Sequence, residues 1–304
     1  MIHRYHFRDI VWIDLDSPSE EEIGVLSKQF NINPLVGREL NTPTPKPKVE
    51  LHPDFIYLIL HFPVFKHSHK RGSSQEIDFI IGRKFIITTH YDTIDPLLEF
   101  SKLFEVNSIL DKSDIGDHAG YIFYYMAAHL YKALSYELDF ISASLKSIEE
   151  NIFHGKEREM VISLSSVSRI LLDFKRTMEL HRDVLKNFEI AGNKFFGEEY
   201  SYHLKNILSE HFKVHNAVKN NLELLHELRE TNNSLLTTKQ NEVMKVLTVI
   251  AFIALPLTLL ISLFQIDNIS RPIVGNENDF WIMLTMLLSI AGIMIVFSKF
   301  KKWL

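Results

Sequence analysis

The chain has 304 residues, 46% hydrophobic and 23% charged, with a formal net charge of −5 and no cysteine. That length exceeds an ordinary single domain and asks for two or three structural parts. The acidic balance offers no basic footprint for nucleic acid, and the lack of cysteine excludes disulfides, thiolate metal sites and thiol nucleophiles, as suits a reducing compartment.

The start, "MIHRYHFRDIVW", is polar and mixed in charge and lacks the apolar core of a secretory signal, so membrane insertion is expected from the other end. Residues 1–112 read as an α/β domain. "DIVWIDL", "DFIYLILHFPVF", "IDFIIG" and "KFIITTH" are short β-branched and aromatic runs bounded by Gly, Pro and Asp, the pattern of strands. In "SPSEEEIGVLSKQF" a helix is expected, with Ser17 and Glu20 as a capping box and Pro18 at the first helical position. Glu20 to Glu22 then form a solvated first turn that complements the helix dipole. "NTPTPKPKVE" is too rich in proline for helix and reads as an extended connection. His67 and His69 fall in "FKHSHKRGSS", where an exposed hairpin loop is favoured over a metal site.

Residues 113–197 read as a helical bundle, with helices over about 113–153 and 158–190. A third helix begins near Glu198 and meets no glycine or proline before Pro256, so the stalk 198–245 runs unbroken into an apolar run. At 1.5 Å per residue such a helix is close to 100 Å long and needs partners along its side. Leu204, Leu208, His211, His215, Val218, Leu222 and Leu225 repeat at alternating spacings of four and three, as in a coiled-coil seam. His211 and His215 could chelate at that spacing, but packing is the favoured role.

Residues 246–266, "VLTVIAFIALPLTLLISLFQI", carry no charge and suffice to span a bilayer core of roughly 30 Å. A second spanning helix is expected over 280–298, joined by an external loop 267–279 and followed by a basic tail 299–304. Lys299, Lys301 and Lys302 follow the second span, whereas the loop sets Arg271 against Asp267, Glu277 and Asp279. The positive-inside rule therefore puts both termini in the cytoplasm, with Trp281 and Trp303 at the interfaces. The expected fold is an α+β membrane protein: an N-terminal cytoplasmic α/β domain, long stalk helices and two C-terminal transmembrane helices.

Small and polar groups recur on one face through the first span: Glu230, Ser234, Thr237, Asn241, Met244, Thr248, Ala251, Leu255, Thr258, Ser262 and Gln265. Close helix packing explains the small residues. A water-filled path also explains the polar groups at both ends, and because one helix cannot enclose a path it requires a symmetric oligomer. No phosphate-cradling glycine loop and no nucleophile–base pattern is present, so enzyme activity is not expected.

"TTKQNEVMKVLTVIAFIALPLTLL" resembles the approach to, and the body of, the first transmembrane helix of CorA-type magnesium channels. "SKFKKWL" resembles their basic cytoplasmic end, and "LKSIEENIF", "VWIDLDSPSEEEIGVLSKQFNINPL", "PKPKVELHPDFIYLIL" and "IDFIIGRKFIITTH" extend the likeness over the whole chain. The resemblance implies a homopentameric funnel in the cytoplasmic membrane, with five copies of the first span lining a pore. It implies no cofactor beyond the transported cation. Asn241, Leu247, Leu255 and Thr258 match pore-facing places, Leu247 and Leu255 as hydrophobic constrictions, with Glu230 near the cytoplasmic mouth.

The family's Gly-Met-Asn signature falls on Gln265, Ile266 and Asp267, so none of its three residues is present. A ring of Asp267 carboxylates would hold divalent cations strongly, with Asn241 as an inner contact; alternatively Asp267 is a solvated loop residue. Acidic positions that bind regulatory magnesium in the family fall on Asn206 and Ser209, with Glu210 as a substitute. Three functions remain open. They are divalent-cation transport led by magnesium, with cobalt and nickel and altered selectivity at the external mouth; proton-coupled zinc transport; and a non-conducting membrane-anchored sensor or scaffold.

Overall fold

The computed structural model describes residues 1–64, 74–105, 117–265 and 278–301. His67, His69, Ile266, Asp267, Arg271, Glu277, Lys302 and Trp303 lie outside the described residues. The chain divides into two compact units, Met1–Arg229 and Glu230–Leu304, so the stretch expected as stalk, 198–245, is shared between them.

The first unit is built on a six-stranded sheet of β1 (Ile2–Phe7), β2 (Ile10–Asp16), β3 (Lys48–Leu51), β4 (Phe55–Phe62), β5 (Gln75–Gly82) and β6 (Phe85–His90), in the order β1-β2-β6-β5-β4-β3. Only β2 and β6 pair in parallel; the other neighbours are antiparallel. Every residue of β5 is buried, because the sheet is covered on both faces. Helices α1 (Glu20–Gln29) and α2 (Pro34–Glu39) close one face over Ile13, Leu15, Ile59, Ile80 and Ile87. On the other, Trp12 meets Phe100 and Phe104 of α3 (Asp95–Glu105), and Phe79 meets Phe123 of α4 (Gly120–Phe153) at 5.1 Å.

The capping box sits two residues later than expected. Ser19 caps α1, accepting from the Glu22 amide at 3.2 Å, while the Glu22 carboxylate accepts from the Ser19 amide at 2.8 Å. Ser17 cannot serve, because its φ of 45° is not a cap geometry and its hydroxyl donates to Asp16. The acidic first turn, Glu20 to Glu22, is as expected.

After α4 come α5 (Glu157–Phe196), a short turn at Glu198–Tyr200, and α6 (Ser201–Phe264), a single 64-residue helix that contains Pro256. Gly197, at φ 103°, makes the reversal between α5 and that turn. The last helix, α7 (Asp279–Phe300), belongs to the second unit.

Candidate functional site

By length and composition two helices could cross a membrane, α6 with its C-terminal apolar stretch and α7 from Phe280 to Phe300, and they bury only 6% and 0% of their most apolar windows. Within this unit α6 and α7 meet along one face each. On α6 that face is Val249, 3% exposed, with the partly covered Ile253, Pro256, Leu260 and Phe264. Its counterpart on α7 is Met283, Leu287, Ile290, Met294 and the fully buried Ser298, with Phe252 and Phe297 in ring contact at 6.4 Å.

The polar stripe lies away from that contact. Ala251, Leu255, Thr258 and Ser262 each stand two residues after a covered position, which on an α-helix is roughly 200° around the axis. All four are exposed, as are Asn241, Met244, Leu247, Thr248 and Gln265 on the same helix, Leu255 at 70%. Upstream, Glu230, Ser234 and Thr237 are also exposed. Close packing between α6 and α7 therefore does not account for the stripe, which is turned away from α7.

The hydroxyls on the stripe are already oriented. Thr248 donates to the Met244 carbonyl at 2.7 Å and Thr258 to the Ala254 carbonyl at 2.8 Å. Each proton is spent on the helix, so what the oxygen offers outward is a lone pair. Pro256 has no N–H, so it withholds from the Phe252 carbonyl its usual donor four residues on. Gln265 closes the described helix, its amide shared between the Ile261 and Ser262 carbonyls at 3.2 Å.

In the first unit the seam on α6 is shifted from the expected register. The buried residues are Leu204, Ile207, His211, Val214, Val218, Asn221, Leu225 and Leu228, whereas Leu208, His215 and Leu222 lie at its margin. The cause is that α6 packs against two helices: Leu204 reaches Gly192 of α5, His211 donates to the Met178 carbonyl of α5 at 2.8 Å, and Asn221 donates to the Leu138 carbonyl of α4. The favoured packing role of His211 holds, with His215 stacked beside it.

His181 and Tyr131 were not singled out from the sequence. The Tyr131 hydroxyl donates to His181 Nδ1 at 2.8 Å, and His181 Nε2 donates to the His61 carbonyl at 2.6 Å. Burial, with a smaller effect of His211, lowers the His181 pKa to about 3. The neutral imidazole that burial favours has one N–H, which the His61 carbonyl takes, leaving Nδ1 to accept from Tyr131. No periodicity marks a histidine buried in this way.

Of the residues matched to a regulatory site, Ser209 is exposed, Asn206 is half-buried, and Glu210 pairs with Lys213 at 2.7 Å. Among the described residues no group of three or more His, Asp or Glu side chains could hold a metal ion.

Fold and face together define an integral membrane protein whose α/β and helical part precedes two spanning helices, the first with a polar face open to further copies. The chain belongs to the CorA-like Mg2+ transporter protein family, whose model matches residues 7–302. It is thus a membrane metal-ion transport protein and not an enzyme. The cobalt/magnesium transport protein CorA of Thermotoga maritima is 24% identical over 278 residues, covering 90% of this chain and 78% of that protein. The protein of the same description from Methanocaldococcus jannaschii is 21% identical over 297 residues, covering 97% and 92%. The solved CorA magnesium transporter of M. jannaschii shares the fold at a TM-score of 0.84 and 20% identity, over 99% of this chain and 93% of its own. The full-length CmaX protein follows at 0.74 and 15%, over 97% and 88%.

Proposed function

We propose that the chain forms a homopentamer in the cytoplasmic membrane, both termini inside, and carries divalent cations, magnesium first and cobalt and nickel with it, along a path lined by α6. The observation that carries this reading is the stripe from Asn241 to Gln265, exposed and turned about 200° from α7. Five copies follow the family resemblance. A ring of α6 helices would bring the stripes to one axis, α7 would lie outside, and the exposed apolar surface of both helices would meet lipid or neighbouring copies.

The chemistry of the face suits a hydrated cation. Magnesium sheds its waters reluctantly, so a path for it must accept hydrogen bonds from those waters. Thr248 and Thr258 present lone pairs, Asn241 and Gln265 present amide oxygens, and Leu247 and Leu255 provide apolar constrictions where the path can close. Met244, Ala251 and Ser262 keep the wall narrow-sided, and Glu230 with Thr237 leads into it from the cytoplasmic side.

At the external mouth Gln265, Ile266 and Asp267 stand where the family has Gly-Met-Asn. Amides that grip a water shell are thereby replaced in part by carboxylates that bind cations directly, which predicts tighter entry and weaker preference for magnesium. Asn206 and Ser209 lack carboxylates and Glu210 is engaged by Lys213, so inhibition by cytosolic magnesium through those positions is expected to be weak.

Purified protein in liposomes loaded with a divalent-sensitive dye tests the proposal. Entry of magnesium, cobalt or nickel down a gradient supports it. Zinc entry that follows a pH gradient would replace it with proton-coupled zinc transport, and absence of flux for every divalent would leave a non-conducting scaffold.

A further inference from the structure

Two carboxyl groups lie side by side within the sheet, in a place that the transport reading does not use. Glu76 and Asp78 are two residues apart on β5 and so share a face, and they are 6% and 0% exposed. Glu76 has three donors: it accepts from the Thr44 amide, shared between its two oxygens at 2.7 and 3.0 Å, from the Thr44 hydroxyl at 3.1 Å, and from His61 Nε2 at 3.1 Å, which leaves it room for one more. Asp78 is less well served. Its Oδ2 accepts two long bonds, from Tyr57 at 3.4 Å and Tyr91 at 3.5 Å, while its Oδ1 is buried with no donor.

An ionised carboxylate with an orphaned oxygen at zero exposure costs several kcal/mol. The surrounding charges do not relieve it. Lys48 of β3 is held by Glu39 and Glu50 at 2.6 and 2.8 Å, and His61 of β4 is spent on Glu76 and on the Thr44 carbonyl. From β6, Thr89 stands opposite Asp78 in register and brings no charge; beyond β6, Tyr91 brings only a hydroxyl. The negative neighbour is Glu76 on the same strand, while Glu39 at the end of α2 lies near enough to act on Tyr57.

We infer that Asp78 is a neutral carboxylic acid at neutral pH, with its proton on Oδ1 shared with the Glu76 carboxylate, and that this carboxyl pair is a proton-held latch fastening the proline-rich connector 41–47 to the sheet. The proton supplies the one donor that Oδ1 lacks, and it lowers the charge beside Glu76 while Glu76 grips Thr44. Burial, then the charge of Glu76, then the hydrogen bond between the two carboxyls raise the Asp78 pKa well above its usual range, against the opposing tyrosine hydroxyls. Alkaline conditions remove the proton, set two buried carboxylates against each other and loosen the connector.

The sign follows from linkage. Opening that solvates Asp78 releases its proton whenever the pH lies above the ordinary carboxylate range and below the folded titration. The opening equilibrium therefore rises about tenfold per pH unit across that window. Hydrogen exchange at the Thr44 amide, followed by mass spectrometry on the full chain in detergent, reads this directly. The wild-type rate should climb about tenfold more steeply per pH unit than the rate in Asp78→Asn, whose amide donates to Glu76 without titrating. The titration of His61 is common to both proteins and cancels in the ratio.

Parallel slopes would overturn the latch. Infrared spectra of the wild type give a second readout that needs no variant: a protonated-carboxyl C=O band should be present at neutral pH and vanish on alkaline titration. Absence of that band overturns the inference, as would a divalent cation retained after desalting whose removal by EDTA changes Thr44 exchange.

Discussion

The two units of this chain solve opposite problems. The α/β unit buries its chemistry: β5 is covered along its whole length, Glu76 holds Thr44 inside the fold, and His181 lies between Tyr131 and the His61 carbonyl. The membrane unit keeps α6 and α7 almost bare, with Val249 and Ser298 among the few buried side chains there. The first is therefore held together by its own packing, whereas the second leaves two apolar helices to be covered, which in the proposed function a bilayer and further copies do. Substitutions should then separate cleanly, costing stability in one unit and transport in the other.

The largest effect comes from acid on the α/β unit. In the unfolded chain His181 takes up a proton near its usual 6.5, whereas in the fold it resists until about 3. The unfolded state thus binds more protons across that window, and stability falls as pH drops through it, by up to about 5 kcal/mol. Denaturant melts of the wild type and His181→Gln from pH 7 to acid should show this slope in the first and lose it in the second.

Next is Trp12→Ala. Trp12 is wholly buried against Tyr5, Phe100 and Phe104, so its truncation should cost about 3–5 kcal/mol in thermal or denaturant unfolding. Ser19→Ala removes the cap of α1 and should cost about 1 kcal/mol, whereas Ser17→Ala should cost much less. At the small end stands Thr258→Val, which leaves the melt within about 0.5 kcal/mol because the side chain is exposed. In liposomes the same variant should lower divalent flux, because an apolar methyl replaces the outward lone pair.

What the sequence made legible follows the same division. Both spans and the polar face of α6 could be read because apolar length and helical period survive without partners. Strands β2, β4, β5 and β6 were legible as β-branched runs. β1 was not, because "IHRYHF" is an edge strand with three of its six residues exposed, and α3 was hidden behind the same polar and aromatic mixture. The seam of α6 was misread by one position because Ile207 and Leu208 are equally apolar, and only the paired contacts with α4 and α5 choose between them. His181 and the Glu76–Asp78 pair were invisible because a buried polar group is defined by what lies across the fold.

The central claim is that the stripe on α6 faces water and the side of α6 turned to α7 does not. The chain contains no cysteine, so single substitutions give an unambiguous readout. Asn241→Cys, Thr248→Cys, Ala251→Cys, Leu255→Cys, Thr258→Cys and Ser262→Cys, each reconstituted, can be treated with a charged thiol reagent beside Val249→Cys, Ile253→Cys and Leu260→Cys. The account predicts labelling of the first set, with loss of divalent flux on reaction, and protection of the second. Equal protection of both sets, or flux unchanged by labelling at Leu255 and Thr258, would contradict it.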